Sequence, residues 1–381
     1  MNQAVPSKLP HIGTTIFTVM SALAAECGAI NLSQGFPDFG TDEHLAALAY
    51  AYMKKGMNQY APMPGIMPLR ERIAAKTEAL YGYSPHPETE ITITSGATEA
   101  LYAAIAAFVT QGDEVIVLEP CYDSYMPAIE LNGGKVIGVP LIAPHFELNR
   151  VALAAAITPC TRAIIINSPH NPTGAIMSQA DMLWLENLLS NTDIILISDE
   201  VYEHIIFAGT HESVLKYPRL AERSVVISSF GKTFHITGWK VGYAIAPAPL
   251  MREFRKVHQF LTFSTATPLQ YAIAEYLQQP ERYLEVSSFY KQKRDTFCQL
   301  MQATRFSLMP CKGTYFQLAN YSAISSEPDT TFAIWLTKEI GVATVPVSVF
   351  YRLPKQEHFL RFCFAKTDET LERAVERLAK L

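Results

Sequence analysis

The sequence predicts an α/β fold with one largely parallel sheet covered by helices on both sides, and a second, smaller α+β unit. Seven short apolar runs between residues 91 and 245 are rich in β-branched residues. They are almost continuously hydrophobic, as strands buried on both faces are. Helical patterns separate several of these runs, which is typical of a parallel sheet. The alternation stops near residue 280, where the smaller unit is expected to begin.

Three regions are predicted for the chain, because 381 residues exceed what one small core needs. Residues 1–40 form an N-terminal segment that joins the small domain. Residues 41–280 form the large domain, and residues 281–381 form the small C-terminal domain. Within these regions, helices are expected over about 41–55, 67–81, 98–109 and 281–300. Residues 31–39 and 58–65 are dense in Gly and Pro and are predicted as loops.

Composition excludes several classes of function. A net charge of −5 provides no basic patch for nucleic acid, and no run of eighteen apolar residues predicts a membrane span. The six scattered cysteines form neither a disulfide framework nor a zinc pattern, and the histidines include no HExxH motif, so no metal site is predicted. This cysteine usage favours the reducing cytoplasm.

Seven strands are predicted over 91–94, 115–118, 136–139, 163–166, 194–197, 225–227 and 241–245, with two further strands over 313–318 and 359–364. Ligands of parallel sheets bind at the carboxyl ends of the strands. The first strand is followed by the small-residue turn 95–99, which opens a helix. The free amides and the helix dipole of such a turn suit a phosphate group, although most turns of this kind look alike.

Lys232 follows the sixth strand and is flanked by Phe230, Gly231 and Phe234. An amine held between apolar groups is desolvated, which favours its neutral, nucleophilic form. Most isolated lysines between aromatic residues are instead surface residues. Residues 231–233 also resemble the end of a P-loop, but that motif requires a glycine at position 226, where this chain has a valine.

Polar residues follow three more of the predicted strands. Tyr122 comes after the second strand and Asp199 after the fifth, where a buried acid needs a positive partner. Asn171 comes after the fourth strand, in a turn that is equally consistent with a structural role. A lysine, an acid and a phosphate turn at one sheet edge match what enzymes of pyridoxal 5′-phosphate (PLP) require. In the second unit, Arg361 lies between apolar residues and needs an anion, either a ligand or a structural carboxylate.

Four segments resemble the PLP-dependent aminotransferases of class I/II, which have fold type I: NPTG at 171–174, DEVY at 199–202, SSFGKTF at 228–234 and RFCF at 361–364. The segment NLSQGFPDF at 31–39 resembles the branch that contains kynurenine/glutamine transaminases and bacterial methionine aminotransferases. The resemblance covers essentially the whole chain. It implies the PLP-dependent transferase fold and a homodimer with shared active sites.

The resemblance also implies roles for the candidate catalytic residues. Lys232 forms the Schiff base with PLP and moves a proton, and Asp199 pairs with the pyridinium nitrogen. Tyr202 and Asn171 hydrogen-bond the 3-oxygen of the ring, and Tyr122 stacks on the ring. Many relatives have Phe at the position of Tyr122.

The remaining implied contacts are to the phosphate and the substrate. The phosphate is held by Gly96, Ala97, Thr98, Ser229 and Lys240 of the same chain. Tyr60 reaches it from the neighbouring subunit. Lys240 stands where aspartate aminotransferases have an arginine. The compact ammonium group of lysine therefore replaces a guanidinium that could donate two parallel hydrogen bonds to the phosphate. The substrate α-carboxylate is bound by Arg361, Gly35 and Asn171, and the entrance of the side-chain pocket involves Phe17, Tyr60 and Tyr122.

The implied reaction moves the amino group of a neutral L-amino acid, such as methionine, an aromatic residue or glutamine, to a 2-oxo acid. No second arginine is marked as a clamp for a distal carboxylate. An alternative is β-elimination from cysteine S-conjugates, which uses the same cofactor and which the motifs do not separate. A PLP-sensing regulator is not expected, because the first motif at residue 31 leaves no room for a DNA-binding segment.

Overall fold

The computed structural model describes residues 6–353, 355 and 357–381. In these ranges the helices are α1 (Ile16–Cys27), α2 (Glu43–Lys54), α3 (Met67–Tyr81), α4 (Ala97–Phe108), α5 (Tyr125–Leu131), α6 (Arg150–Ala156), α7 (Gln179–Leu189), α8 (Pro218–Ala221), α9 (Phe230–Thr233), α10 (Ala248–Leu261), α11 (Thr267–Tyr276), α12 (Glu281–Leu284), α13 (Val286–Met301), α14 (Asp329–Trp335) and α15 (Asp368–Leu378). The strands are β1 (Ile30–Asn31), β2 (Ile91–Thr94), β3 (Glu114–Glu119), β4 (Lys135–Pro140), β5 (Thr161–Asn167), β6 (Ile195–Asp199), β7 (Ser224–Ser229), β8 (Gly242–Ile245), β9 (Ser307–Leu308), β10 (Phe316–Asn320), β11 (Val342–Ala343), β12 (Val345–Pro346) and β13 (Phe359–Cys363).

The central sheet has seven strands in the order β2-β8-β7-β6-β5-β3-β4. Strands β7, β6, β5, β3 and β4 pair in parallel, and β8 runs antiparallel to both of its neighbours. These are the seven strands predicted from the apolar runs, with ends that differ by two residues or fewer. The prediction of a largely parallel sheet is confirmed.

Helices cover both faces of this sheet, which explains why its strands are continuously apolar. Along β3, Ile116 and Leu118 enter a core shared with α2, α3, α7 and α11. The alternate residues Val115 and Val117 enter a second core shared with α4, α5 and α10. Successive side chains of a strand point to opposite faces, so each strand must supply apolar residues to both cores.

A smaller sheet of four antiparallel strands has the order β12-β13-β10-β9. The N-terminal part of the chain reaches this region through β1, which pairs in parallel with β11. Met20 of α1 lies in the same core as α13 and α15. The division of the chain at residues 40 and 280 stays a prediction.

One helix was not predicted, and two local predictions were wrong. Helix α1 was missed because it buries only Met20 and Ala24, which leaves little periodic signal. The helix predicted over 281–300 is divided into α12 and α13 at Glu285. The strand predicted from residue 313 begins at Phe316, after Thr314 adopts a left-handed conformation with φ of 66°.

No helix in the described part of the chain is long and apolar enough to cross a membrane.

Candidate active site

A cavity of about 230 Å³ lies at the carboxyl ends of β5, β6 and β7. Thirteen of the fourteen predicted site residues line it, namely Phe17, Gly35, Gly96, Ala97, Thr98, Tyr122, Asn171, Asp199, Tyr202, Ser229, Lys232, Lys240 and Arg361. They come from sequence positions more than 300 residues apart, because the small sheet closes the cavity over the edge of the large one.

Lys232 lies on the one-turn helix α9, directly after β7. Its Nζ donates to the carbonyl oxygen of Gly35 at 3.3 Å. Nζ is also 5.8 Å from the ring centroid of Tyr202 and 5.6 Å from that of Tyr315. Burial lowers the pKa of this amine to about 8, and the cations Arg361 and Lys240 act in the same direction. The surface interpretation of Lys232 is therefore wrong.

The prediction that Phe230 and Phe234 enclose the amine is also wrong. Their rings stack on each other, with centroids 5.9 Å apart and an interplanar angle of 3°, and both belong to the core of the large sheet. Residues four apart share one face of a helical turn, whereas the residue midway between them points away. Tyr202 and Tyr315 provide the apolar surroundings instead.

Asp199 ends β6 and is 3% exposed. Its Oδ2 accepts from the hydroxyl of Tyr125 at 2.6 Å, and its Oδ1 accepts from the backbone N–H of Val201 at 3.3 Å. Among the residues that the structure describes, no cationic nitrogen lies within 4.0 Å of this carboxyl. Burial raises the pKa of Asp199 to about 6 in spite of the two hydrogen bonds. The carboxyl therefore has room for a positive partner that the protein itself does not supply.

Arg361 projects from β13 and is 1% exposed. Its Nη1 donates to Oδ1 of Asn171 at 2.8 Å, its Nη2 donates to the carbonyl of Ser33 at 2.9 Å, and its Nε has no partner among the described residues. The guanidinium carbon lies 3.8 Å from the ring centroid of Phe316. No carboxylate within the described ranges lies within 4.0 Å, so the structural carboxylate considered from the sequence is excluded.

The turn before α4 forms a concave, positively charged surface. Gly96 precedes the helix with φ of 78°, a conformation that favours glycine. A Cβ atom at this position would lie 3.3 Å from Nζ of Lys240, so the amine sits directly over the turn. Ser229 lines the same part of the cavity, and its Oγ accepts from Gly231 N–H at 3.1 Å. Helix N-terminal amides beside an ammonium group favour a bound anion.

The rings of Tyr202 and Tyr122 line the cavity. Tyr202 is 3% exposed and packs edge-to-face on Tyr315, with centroids 5.2 Å apart. Tyr122 packs in the same way on Tyr125, with centroids 5.7 Å apart. Burial raises the pKa of both Tyr202 and Tyr122, so their hydroxyls stay protonated and can donate hydrogen bonds.

Phe17 and Gly35 lie next to the guanidinium of Arg361. The ring centroid of Phe17 is 5.0 Å from its Cζ. The carbonyl of Gly35 accepts from the hydroxyl of Tyr315 at 2.5 Å as well as from Lys232. A Cβ atom at position 35 would lie 2.8 Å from the Phe316 ring, so only glycine lets the backbone approach this closely.

Sequence reasoning missed several cavity residues: Gln34, Leu101, Asn167, Val201, Gly231, Thr237 and Phe316. Asn167 ends β5, so the rule that placed Asp199 could also have found it. Its Oδ1 accepts from Asn171 N–H at 2.7 Å, which fixes the turn that carries Asn171. Nothing in the local sequence marks Tyr125 or Tyr315 as a site residue. Only the tertiary structure brings Tyr125 to Asp199 and Tyr315 to Gly35.

Tyr60 is the one predicted residue outside the cavity. Its side chain is 83% exposed and touches Phe263 edge-to-face, with ring centroids 5.3 Å apart. It therefore does not serve the site of its own chain in this structure.

Comparison with known proteins identifies the family. Residues 28–378 match the family described as aminotransferase class I and II. The chain is 53% identical to methionine aminotransferase of Escherichia coli, over 100% of this chain and 99% of that protein. It is 36% identical to kynurenine–oxoglutarate transaminase of Dictyostelium discoideum, over 99% and 96% of the two chains.

Solved structures agree with this assignment. A crystal structure of the Escherichia coli protein for which a methionine aminotransferase function was identified superimposes with a TM-score of 0.97 at 52% identity, covering 100% of both chains. N-succinyldiaminopimelate aminotransferase of Mycobacterium tuberculosis gives a TM-score of 0.96 at 38% identity, covering 99% and 100%. The resemblance inferred from the motifs is confirmed: this chain belongs to the class I and II aminotransferases and is an enzyme that transfers an amino group to a 2-oxo acid.

Proposed function

We propose that this aminotransferase holds PLP in the cavity and uses a neutral L-amino acid, with methionine as the leading donor. One observation carries the proposal. The cavity brings together an amine of lowered pKa, a buried carboxyl without a cation and a buried guanidinium without a carboxylate. Each of these groups, on Lys232, Asp199 and Arg361, lacks a charged partner that a ligand can supply.

The cavity residues fit PLP. The carboxyl of Asp199 would hold the protonated ring nitrogen, which is the cation that it lacks. The amides at the start of α4, with Lys240 and Ser229, would hold the phosphate. Tyr202 and Asn171 would bond the 3-oxygen, and Tyr122 would cover the ring. When bound, PLP supplies an aldehyde that reacts with amines and a ring that withdraws electrons.

Lys232 is suited to move protons at the substrate α-carbon. Burial lowers the pKa of this amine to about 8, so a larger fraction of it is neutral at pH 7 than of an ordinary lysine. The carbonyl of Gly35 orients Nζ at 3.3 Å. A base whose pKa lies near the working pH can both accept and return a proton within one catalytic cycle.

Arg361 would bind the α-carboxylate that amino acids and 2-oxo acids share. Its Nε has no partner among the described residues, and its guanidinium carbon lies over the Phe316 ring, 3.8 Å from the centroid. Arg361 is the sole arginine among the described residues that line the cavity. Phe17, Tyr122 and Phe316 form apolar walls, so the cavity favours a neutral side chain over a second carboxylate. The 53% identical relative named as a methionine aminotransferase supports methionine as the donor.

The homodimer with shared sites is also part of this proposal. Tyr60 packs on a second exposed aromatic side chain, that of Phe263, which is 46% exposed. Such a patch favours contact with a second copy of the chain. Tyr60 would then reach the phosphate in the partner's site. All six cysteines lie in the described ranges and are free, which supports the cytoplasm as the compartment.

A donor panel on the purified, PLP-loaded protein tests the proposal. Methionine, phenylalanine, glutamine and aspartate are compared with several 2-oxo acids as acceptors. We expect methionine and phenylalanine to give a kcat/KM well above that of aspartate. A preference for aspartate would contradict the neutral pocket. Pyruvate released from a cysteine S-conjugate faster than any amino transfer would favour the β-lyase alternative.

A further inference from the structure

We infer that His258 is a positioning residue, which fixes the phosphate-binding turn and the loop that carries Tyr60 to one another. It does so through Glu99 on one side and the backbone of Met63 on the other. The structural link stands on contacts within the chain, and its effect on cofactor binding rests on the proposed function. None of these three residues lines the cavity.

The contacts form a continuous path from the turn to the loop. Oε2 of Glu99 accepts from the backbone N–H of Ser95 at 3.0 Å, which holds the turn before α4. Oε1 of Glu99 lies 2.9 Å from Nδ1 of His258 on α10. Nε2 of His258 lies 3.1 Å from the carbonyl oxygen of Met63. The imidazole is fully buried, so water does not compete for these bonds.

The chemistry of the partners assigns the hydrogens. A carbonyl oxygen only accepts, so Nε2 of His258 must carry a hydrogen. A second proton then lies between Nδ1 and Oε1 of Glu99, so the imidazole is hydrogen-bonded to both of its partners at once. Removing either partner leaves a buried polar group without its bond.

The loop is held at several other points, and one of them ties it to β2 just before the phosphate turn, but none of them contacts Glu99. Thr267 donates to the carbonyl of Gln59 at 2.5 Å, and Ile93 N–H donates to the carbonyl of Pro64 at 2.9 Å. Ile66 N–H donates to Oε1 of Gln270 at 2.9 Å. His258 thus supplies the hydrogen-bonded route from this loop to Glu99.

This link has a consequence in the proposed dimer. The phosphate turn serves the site of its own chain, whereas Tyr60 would serve the site of the partner. His258 lies between the phosphate turn and the loop of the same chain. A displacement of the turn, in the chain's own site, is therefore transmitted to the loop that carries Tyr60 into the partner's site. The apolar packing of Phe254 along the imidazole, with rings 6.3 Å apart and nearly parallel, limits how the ring can move.

Hydrogen exchange in the cofactor-free protein tests the link directly. We compare Glu99→Ala and His258→Gln with the wild type, for peptides that cover residues 58–66 and 94–100. Asp329→Ala is the matched control, because Asp329 is also a buried carboxylate that accepts a backbone N–H, that of Ser348 at 2.7 Å.

We expect Glu99→Ala to raise exchange in both peptides, including the loop that Glu99 does not touch, by about tenfold at the protected amides. His258→Gln should do the same, and Asp329→Ala should change neither peptide. An effect of Glu99→Ala confined to 94–100 would overturn the link, as would wild-type exchange in both peptides of His258→Gln.

Cofactor affinity tests whether the link affects binding of the phosphate. The ratio of the dissociation constants of pyridoxal and PLP measures what the phosphate contributes, and general destabilisation does not alter it. We expect both variants to reduce this ratio by about tenfold, and the control to preserve it. A wild type with no preference for PLP would contradict the proposed phosphate site. A wild-type preference that both variants retain would overturn the role of His258.

Discussion

Arg361 and Asn171 meet directly across the cavity, with Nη1 of the arginine 2.8 Å from Oδ1 of the asparagine. Arg361 lies on the small antiparallel sheet, and Asn171 lies in the turn that follows β5 of the large sheet. This bond therefore joins the two parts of the site. It also orients the guanidinium with its Nε free for a ligand.

Lys232→Ala should reduce turnover by at least about a thousandfold, because the residue provides both the reactive amine and the proton transfer. Borohydride reduction followed by mass spectrometry should leave PLP attached to the wild type and not to the variant. Lys256→Ala, which removes an exposed lysine paired with Glu253, is the control. Full activity in Lys232→Ala would contradict the central assignment.

Asp199→Asn should lower kcat by about a hundredfold, since the variant cannot hold a charged ring nitrogen. The measurement is steady-state kinetics at saturating PLP. Asp181→Asn, in an ion pair with Arg150 at 2.8 Å, should retain normal kcat. An unchanged kcat in Asp199→Asn would place Asp199 outside the chemistry.

Asp199 should also make the stability of the cofactor-free protein depend on pH. Its pKa is raised from 3.8 to about 6, so folding binds protons and ionisation of Asp199 destabilises the folded state. This penalty is absent below pH 4, grows between pH 4 and 6 and is complete above pH 6. Asp199→Asn should therefore raise the free energy of unfolding by up to about 3 kcal/mol at pH 8 relative to pH 4. Urea unfolding at the two pH values measures this difference, and an equal effect at both would refute it.

Arg361→Lys keeps the charge and loses the planar pair of donors. We expect kcat/KM to fall by at least about tenfold for every amino acid and every 2-oxo acid, because all carry the α-carboxylate. Arg150→Lys provides a control away from the cavity. A defect limited to one donor would assign Arg361 to the side-chain pocket instead.

Mixing two inactive variants tests whether Tyr60 acts in the partner's site. Lys232→Ala is combined with a Tyr60 replacement severe enough to silence the site, under conditions that exchange subunits. Half of the dimers are then mixed, and each has one intact site of two, so about a quarter of wild-type activity should return. If Tyr60 served its own chain, each site would carry one lesion and no activity would return.

The sequence by itself determined the parts of this protein that depend on local pattern. The seven strands of the large sheet were placed within two residues, because strands buried on both faces must be apolar along their whole length. The same rule located Asp199, Asn171 and the turn at Gly96, since the carboxyl ends of parallel strands share one edge. The motifs identified the family.

Tertiary structure decided what surrounds each of these residues. The desolvation of Lys232 was predicted for the wrong reason, because helical geometry turns Phe230 and Phe234 away. The surrounding tyrosines are Tyr202, which follows β6, and Tyr315, which precedes β10. Tyr125 beneath Asp199 and His258 behind the phosphate turn carry no sequence signal. Their contacts join residues 74 and 159 positions apart, and only the packing of α5 and α10 against the sheet creates them.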